Sequence, residues 1–235
     1  MEYPGGKGSL YQQIINLIPP HQVYIESHLG GGAILRHKRP ARQNIGLDLD
    51  PAVLEQVRYH LAKNDGAAVE LINADATTWL KAYNFQSNEF VYADPPYLLA
   101  SRRQHRQLYR YEYTRQQHVE LLDILTAIPC QVMVSGYWSE LYAEKLAGWH
   151  TANFEVRTRG GSWATEYLWM NYPPPTQLHD YSFLGSDYRE RERIKRKKAR
   201  WVKRLNQTDL LERQAILAAI EDIANLDEGG HYRQV

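Results

Sequence analysis

The residues with the clearest chemical potential form the tetrapeptide Asp94-Pro95-Pro96-Tyr97, which ends the apolar run 90–93. If that run is a parallel strand, Asp94 lies at its carboxyl end, where side chains face the ligand crevice of an α/β sheet. The prolines have no N–H, so their carbonyl oxygens remain as acceptors. Tyr97 adds a flat ring. Such an acceptor pair beside an aromatic face fits a planar amine, such as the exocyclic amino group of a nucleobase.

A glycine-rich turn upstream is a second candidate site. Gly30, Gly31 and Gly32 follow a short apolar strand over 23–27, and glycine lets the backbone approach a ligand because it has no Cβ. Asp48 ends the next strand about 20 residues later, where a carboxylate can accept hydrogen bonds from ribose hydroxyls. The G-x-G-x-x-G pattern of dinucleotide sites is not matched, which argues against NAD. The turn predicts a nucleoside site, and a tight turn beside a surface aspartate is the open alternative.

Periodicity places both sites in an alternation of strands and helices. The pattern predicts an α/β fold with a largely parallel sheet covered by helices on both faces. Gly160-Gly161 marks the tip of a hairpin that follows the last predicted strand of the parallel part. The strands are predicted over 23–27, 44–50, 69–75, 90–94 and 130–137, the hairpin over 151–173, and helices over 9–17, from Pro51 onward and over 114–128.

The composition changes after the three prolines at 173–175. Residues 186–205 form a charged helical pattern, and residues 208–226 form an amphipathic one. We therefore predict a catalytic domain over 1–180 and a basic and amphipathic helical appendage over 181–235.

The order of the motifs resembles that of the Dam-like DNA adenine-N6 methyltransferases. The matching segments are "YPGGK" at 3–7, "ESHLGGGA" at 26–33, "GLDLD" at 46–50 and "ADPPY" at 93–97, and the resemblance spans about residues 3–171. "DPPY" alone is shared by several amino-methyltransferases, whereas its combination with "GGK" is specific. The resemblance implies a Rossmann-like methyltransferase sheet that uses S-adenosyl-L-methionine as cofactor. It further implies double-stranded DNA as partner and methyl transfer to N6 of an adenine flipped out of the duplex.

The resemblance also implies a role for each matching residue. Asp94 and the carbonyl of Pro95 would accept hydrogen bonds from N6, and Tyr97 would stack on the adenine; with Pro96 they form the implied catalytic tetrapeptide. In the cofactor pocket, the glycine turn would hold the methionine moiety, Asp48 the ribose, and Asp75 the cofactor adenine. The residues implied for this pocket are Tyr3, Lys7, Glu26, Gly30, Gly31, Gly32, Asp48, Asp75 and Asp94.

The chain departs from the family in two places. The family usually has phenylalanine before its glycine turn, in "PFxGxG", where this chain has "SHLGGG" with His28 near that position. Dam-like enzymes also carry a long target-recognition insertion before "DPPY". Asp75 and Asp94 are too close in sequence to contain one, so DNA recognition is expected to come from elsewhere in the chain.

The segment 98–115, which follows the tetrapeptide, is the main candidate for that recognition. Cations neutralise phosphates and arginine reads guanine edges, while aromatic rings wedge or stack between bases. The predicted DNA-contacting residues are Arg102, Arg103, Arg106, Arg110 and Tyr111. A solvated helix start is the alternative. The hairpin tip 157–163 and the basic run 189–204 are two further candidates, and the latter is equally consistent with a solvent-exposed helix.

Composition excludes several other classes of protein. The formal net charge is +1, so nucleic-acid binding has to come from local patches. Cys130 is the only cysteine, which excludes an intramolecular disulfide and a cysteine-rich zinc site. The proline before it matches the Pro-Cys of cytosine-C5 methyltransferases, but it opens an apolar strand and is expected to be structural. With no apolar run of membrane-spanning length, we expect no membrane partner and a cytoplasmic location in a bacterial or phage-infected cell.

The expected activity is direct transfer from the sulfonium to adenine N6, without a covalent enzyme intermediate. N4-cytosine and RNA adenine methylation use the same kind of acceptor pair and are the nearest alternatives. A DNA-binding module without catalysis on the same scaffold is the alternative from another class. The oligomeric state, monomer or homodimer, is left open.

Overall fold

The computed structural model describes residues 7–8, 10–63, 68–102, 109–157, 161 and 163–229. The chain forms two compact units, Met1–Phe183 and Leu184–Val235. The strands of the first unit are β1 Val23–Glu26, β2 Gln43–Asp48, β3 Glu70–Asn73, β4 Glu89–Ala93, β5 Gln131–Gly136, β6 His150–Arg157 and β7 Trp163–Met170. Its helices are α1 Tyr11–Ile15, α2 Ala33–His37, α3 Pro51–Ala62, α4 Ala76–Ala82, α5 Arg115–Ala127 and α6 Glu140–Lys145, with a 3-10 turn at Leu99–Ser101.

The strands form one seven-stranded sheet in the order β3-β2-β1-β4-β5-β7-β6. The first five strands are parallel, whereas β7 pairs antiparallel with both β5 and β6. The chain moves outward from β1 through β2 to β3 and then returns to β4 on the other side of β1. This reversal is the topological switch point, at which open α/β sheets bind ligands. The predicted α/β, Rossmann-like fold with C-terminal helices is confirmed.

Local chemistry explains where the helices that flank the site begin. The side chain of Asp50 accepts a hydrogen bond from the backbone of Ala52 at 3.0 Å, and Pro51 occupies the first turn of α3. Thr114 and Gln117 form a reciprocal capping box at the start of α5. These caps fix the points at which the chain leaves the carboxyl edge of the sheet.

The core lies on both faces of the sheet. The five residues of β4 are all buried, which is the pattern of a central strand covered on both sides. Val91 packs on one face, in a cluster with Leu121 and Leu125 of α5. Phe90 packs on the other, with Ile14 of α1 and Ile34 of α2. The site residue that follows β4 is therefore held by the most buried strand of the sheet.

The second unit contains two long helices, α7 Tyr188–Gln207 and α8 Leu210–Gly229. Asp187 caps α7 by accepting a hydrogen bond from the backbone of Glu190 at 2.8 Å. Within the described part of the chain, no helix combines the length and the apolar character that crossing a membrane requires.

Leu121→Ala tests the core on the α5 face. Leu121 is fully buried, so the truncation removes apolar contacts and leaves a cavity. We expect a loss of about 2–5 kcal/mol in the free energy of unfolding, measured by urea titration. Tyr59→Ala, at a side chain that is 61% exposed, should cost less than about 1 kcal/mol. Equal losses in the two variants would contradict the packing described for α5.

Candidate active site at the carboxyl edge of the sheet

A cavity of about 290 Å³ opens at the carboxyl edge of the parallel strands. It lies at the switch point, where β1 and β4 are neighbours and the turn after β1 passes the end of β2. Of the residues implied for the cofactor pocket, those that line this cavity are Lys7, Glu26, Gly30, Gly31, Gly32, Asp48, Asp75 and Asp94. Tyr3 lies outside the described residues. Residues far apart in sequence thus share one concave site because parallel strands end at the same edge.

The ammonium group of Lys7 is buried between two carboxylates. Its Nζ lies 2.5 Å from Asp94 Oδ2 and 3.1 Å from Glu166 Oε1, and it donates to Tyr97 Oη at 2.8 Å. Burial alone lowers the pKa of Lys7, but the attraction of Asp94 and Glu166 raises that pKa well above its ordinary value. Lys7 is therefore a permanent cation that ties the N-terminal segment to β4 and β7.

Asp94 is held through both carboxylate oxygens. Oδ1 accepts a hydrogen bond from Ser135 Oγ of β5 at 2.7 Å, while Oδ2 faces Lys7. The hydroxyl of Tyr92 lies 3.1 Å from the same Ser135 oxygen. The Asp94 side chain is still 18% exposed, and each carboxylate oxygen has a second acceptor position. Asp94 is thus oriented by the protein and remains able to accept a hydrogen bond from a ligand in the cavity.

Glu166 belongs to this site, although it lies in none of the sequence motifs. Its side chain, on β7, is 7% exposed and accepts a hydrogen bond from the hydroxyl of Tyr97. Burial raises the pKa of Glu166, and the attraction of Lys7 opposes this rise. The alternation of side chains along β7 could have predicted that Glu166 is buried, because Glu166 lies on the same face of the strand as the buried residues Leu168 and Met170. A lone carboxylate at an expected core position needs a buried partner.

The tetrapeptide residues occupy different environments. Pro96 lines the cavity, whereas Pro95 is buried. The ring of Tyr97 is 8% exposed and meets Tyr137 edge-on, with centroids 4.6 Å apart. The stacking role predicted for Tyr97 does not fit this position, because its ring is packed inside the protein.

Three other tyrosines form an aromatic wall in its place. Tyr109, Tyr111 and Tyr113 line the cavity on the side of the segment that follows the tetrapeptide. Tyr111 is 39% exposed, so its ring can meet a ligand. The cavity therefore does offer aromatic surface, but from residues that come later in the chain than Tyr97.

The glycine turn and Asp48 form one hydrogen-bonded unit. Gly30 and Gly32 adopt φ values of 49° and 60°, which favour glycine over residues with a Cβ. The backbone N–H of Gly30 donates to Asp48 Oδ2 at 2.9 Å, and that of Asp50 donates to Oδ1 at 2.9 Å. Burial raises the pKa of Asp48, and these hydrogen bonds oppose the rise. Asp48 is consequently oriented at the end of β2 with acceptor positions to spare.

Glu26 is a deeply buried acid at the end of β1. Its Oε2 accepts hydrogen bonds from the hydroxyl of Tyr24 at 2.9 Å and from the backbone of Leu35 at 3.0 Å. Burial raises the pKa of Glu26 to about 8 in spite of these hydrogen bonds. This carboxyl group therefore exchanges a proton near neutral pH.

Asp75 and His28 also line the cavity. Burial alone raises the pKa of Asp75, but hydrogen bonds from Thr77 and Thr78 lower it overall. Asp75 also caps α4 through the backbone of Thr78 at 2.9 Å. His28 Nε2 lies 3.0 Å from the hydroxyl of Tyr113, and burial lowers the pKa of His28 to about 3. The cavity wall is therefore neutral at His28 and anionic at Asp75.

The predicted DNA contacts require one correction. Arg102 is only 6% exposed, and its guanidinium donates to both carboxylate oxygens of Glu112, at 2.8 and 2.6 Å. A buried bidentate ion pair stabilises the segment and does not present its charge to a duplex. Arg110 is 69% exposed beside Tyr111 at the cavity mouth. Arg103 and Arg106 lie outside the described residues.

Cys130 precedes β5, at the sheet edge opposite the cavity. Its thiol is buried, and burial raises the pKa of Cys130 to about 12. A thiolate nucleophile is excluded at such a position. Within the described ranges, no cluster of histidine, cysteine, aspartate and glutamate has the arrangement of a metal site.

Comparisons with known proteins give a likeness of fold. No protein-family model matches the chain, and no curated protein matches it. A conserved hypothetical protein from Streptococcus pyogenes is 12% identical, over 74% of this chain and 100% of that chain, with a TM-score of 0.50. An rRNA methylase from Streptococcus thermophilus is 11% identical, over 69% and 93%, with a TM-score of 0.46. A precorrin 8w decarboxylase from Methanobacterium thermoautotrophicum is 14% identical, over 72% and 91%, with a TM-score of 0.47.

At such identities the likeness concerns the fold alone, and one fold can support unrelated reactions. The function therefore depends on the chemistry of the site.

Glu26→Gln tests the buried carboxyl group. Because the pKa of Glu26 is raised from 4.5 to about 8 in the folded state, its stabilising contribution is complete below pH 4.5 and is lost as the pH rises through 8. Urea titrations from pH 5 to pH 8 should show the wild type losing stability relative to the variant, by up to about 1.4 kcal/mol per pH unit. The exposed control Glu55→Gln should follow the wild type. A parallel course of wild type and Glu26→Gln would refute a protonated Glu26.

Proposed function

We propose that this protein is an S-adenosyl-L-methionine-dependent DNA methyltransferase that acts on adenine N6. The proposal rests on one observation: Asp94, which Lys7 and Ser135 hold in place, faces the same cavity as the glycine turn and Asp48. An oriented acceptor for an amine thus adjoins a pocket suited to a nucleoside. The choice of adenine and of DNA comes from the motif resemblance, which joins "GGK" to "DPPY".

The chemistry of the donor set fits S-adenosylmethionine. Asp48 lies where a ribose can donate its hydroxyl hydrogens, and the backbone at Gly30 and Gly32 leaves room for close approach. The anionic carboxylate of Asp75 favours the ammonium and sulfonium charges of the cofactor, and Glu26 adds a carboxyl group to the same cavity. When bound, the cofactor supplies an electrophilic methyl group.

The protein's own residues then position the amine. Asp94 accepts a hydrogen bond from the N6 amino group and turns the nitrogen lone pair toward the methyl carbon. The cofactor would supply the methyl group and would keep the electron pair of the broken C–S bond on its sulfur as the N–C bond formed. The methylated nitrogen would then release one proton, which Asp94 can accept. Orientation and exclusion of water supply most of the rate enhancement in such a site.

Lys7 and Glu166 act through Asp94, since Lys7 contacts both carboxylates. The Lys7 cation holds Asp94 Oδ2 in place through their ion pair at 2.5 Å. Glu166 is the second partner that makes the buried cation tolerable. We therefore assign Lys7 and Glu166 as positioning residues for Asp94.

Asp94→Ala tests the proposed acceptor. We expect methyl transfer to fall by at least about 100-fold, because the amine loses its orienting group. Binding of S-adenosylmethionine, measured by calorimetry, should change by less than about threefold, and Asp94→Asn should lose activity while preserving the shape of the site.

The assay is transfer of radiolabelled methyl groups to unmethylated duplex DNA, followed by nucleoside analysis. Label in N6-methyladenine supports the proposal. Label in N4-methylcytosine would mean that the target base is cytosine and not adenine. Label in RNA alone would refute DNA as substrate. The absence of label in any nucleic acid would favour the DNA-binding module without catalysis.

Glu166→Gln tests the positioning role. The variant keeps the shape of the side chain but removes its negative charge, so Lys7 is held less firmly against Asp94. We expect kcat to fall by about 10–100-fold with KM for both substrates within about twofold, and the pH–rate profile to shift. Glu140→Gln, on the exposed surface of α6, is the matched control and should leave the kinetics unchanged. A loss that appears in KM alone would contradict a role through Asp94.

A further inference from the structure

The arginines of α7 lie mostly on one face of the helix. At 100° per residue, five of its six arginines fall within an arc of about 80°. At 1.5 Å per residue, the first and the last are separated by about 22 Å along the axis. We call this set the arginine stripe; its members are Arg189, Arg193, Arg196, Arg200 and Arg204.

The stripe presents uncompensated charge to solvent. All five residues are exposed. Arg193 forms one ion pair, with Glu190 at 3.2 Å, and such an exposed pair contributes little. Within the described part of the chain, no carboxylate forms an ion pair with the other four stripe residues. A row of mostly unpaired cations on one face of a helix repels itself and is relieved by a polyanion.

Two apolar side chains of α7 lie away from the stripe. Ile194 and Leu205 are half-buried and lie about 120° and about 140° around the helix from the centre of the stripe. The stripe is thus separated from these apolar side chains and stays accessible. α7 thus presents an open cationic face to solvent.

We propose that the arginine stripe is a docking surface for double-stranded DNA. Arginine matches phosphate oxygens with a planar, bidentate fork. An α-helix also fits the major groove of B-DNA, which is about 12 Å wide, and 22 Å of helix covers about six base pairs. The deep, narrow major groove of duplex RNA does not admit a helix in this way. The choice of DNA rests on the proposed function, and the stripe supplies duplex binding that the buried Arg102 cannot provide.

A matched pair of double variants of the full-length protein tests this surface. Arg196→Gln/Arg200→Gln removes two charges from the stripe, whereas Lys195→Gln/Lys198→Gln removes two charges from the rest of the same helix. Binding to a fluorescently labelled 24-base-pair DNA duplex is followed by anisotropy at increasing KCl, without cofactor. The stripe variant should weaken binding by about tenfold or more and reduce the slope of log K against log [KCl] by about 2. The lysine variant should stay within about twofold of the wild type, and circular dichroism checks that both keep their helices.

Equal losses in the two variants would mean that only net charge matters and would overturn the proposal. Tighter binding to an RNA duplex of the same length, or to vesicles of phosphatidylserine and phosphatidylcholine, would also overturn it. The outcome is separable from that of the catalytic proposal. Stripe-dependent DNA binding without methyl transfer refutes only the activity, whereas DNA methylation with unaltered binding in the stripe variant refutes only the docking surface.

Discussion

The buried contact of Lys7 with Asp94 and Glu166 is the interaction on which the site depends. An ammonium group with so little access to water is tolerated only because two carboxylates and a hydroxyl surround it. Its partners come from the carboxyl end of β4 and from β7, and Lys7 itself precedes α1. One electrostatic contact thus joins the start of the chain to two separate strands of the sheet.

The sheet explains why the polar groups meet at that place. Parallel strands end at a common edge, so Glu26, Asp48 and Asp94 come together although the sequence separates them widely. The insertion of β7 beside β5 brings an antiparallel strand to the same edge, and with it Glu166. The apolar clusters on both faces hold these strand ends rigidly, which suits a site that orients its ligands.

Much of this arrangement was predictable from the sequence, because it follows from local patterns. Apolar runs and caps marked the parallel strands and the helices α3 and α5, and the rule that strands share an edge brought the glycine turn to Asp94. The position of β7 in the sheet was not predictable in the same way, since strand order is decided by packing between distant segments. Glu166, the burial of Tyr97 and the pairing of Arg102 with Glu112 all depend on such distant contacts.

The burial of Cys130 has a practical consequence for following this protein in solution. The only thiol in the chain is shielded by the core and resists ionisation. Maleimide dyes and spin labels should therefore not react with Cys130 in the folded protein, and should attach only to cysteines that are introduced by mutation. Pairs of probes on the two units can then report their separation in solution, without first removing a native cysteine.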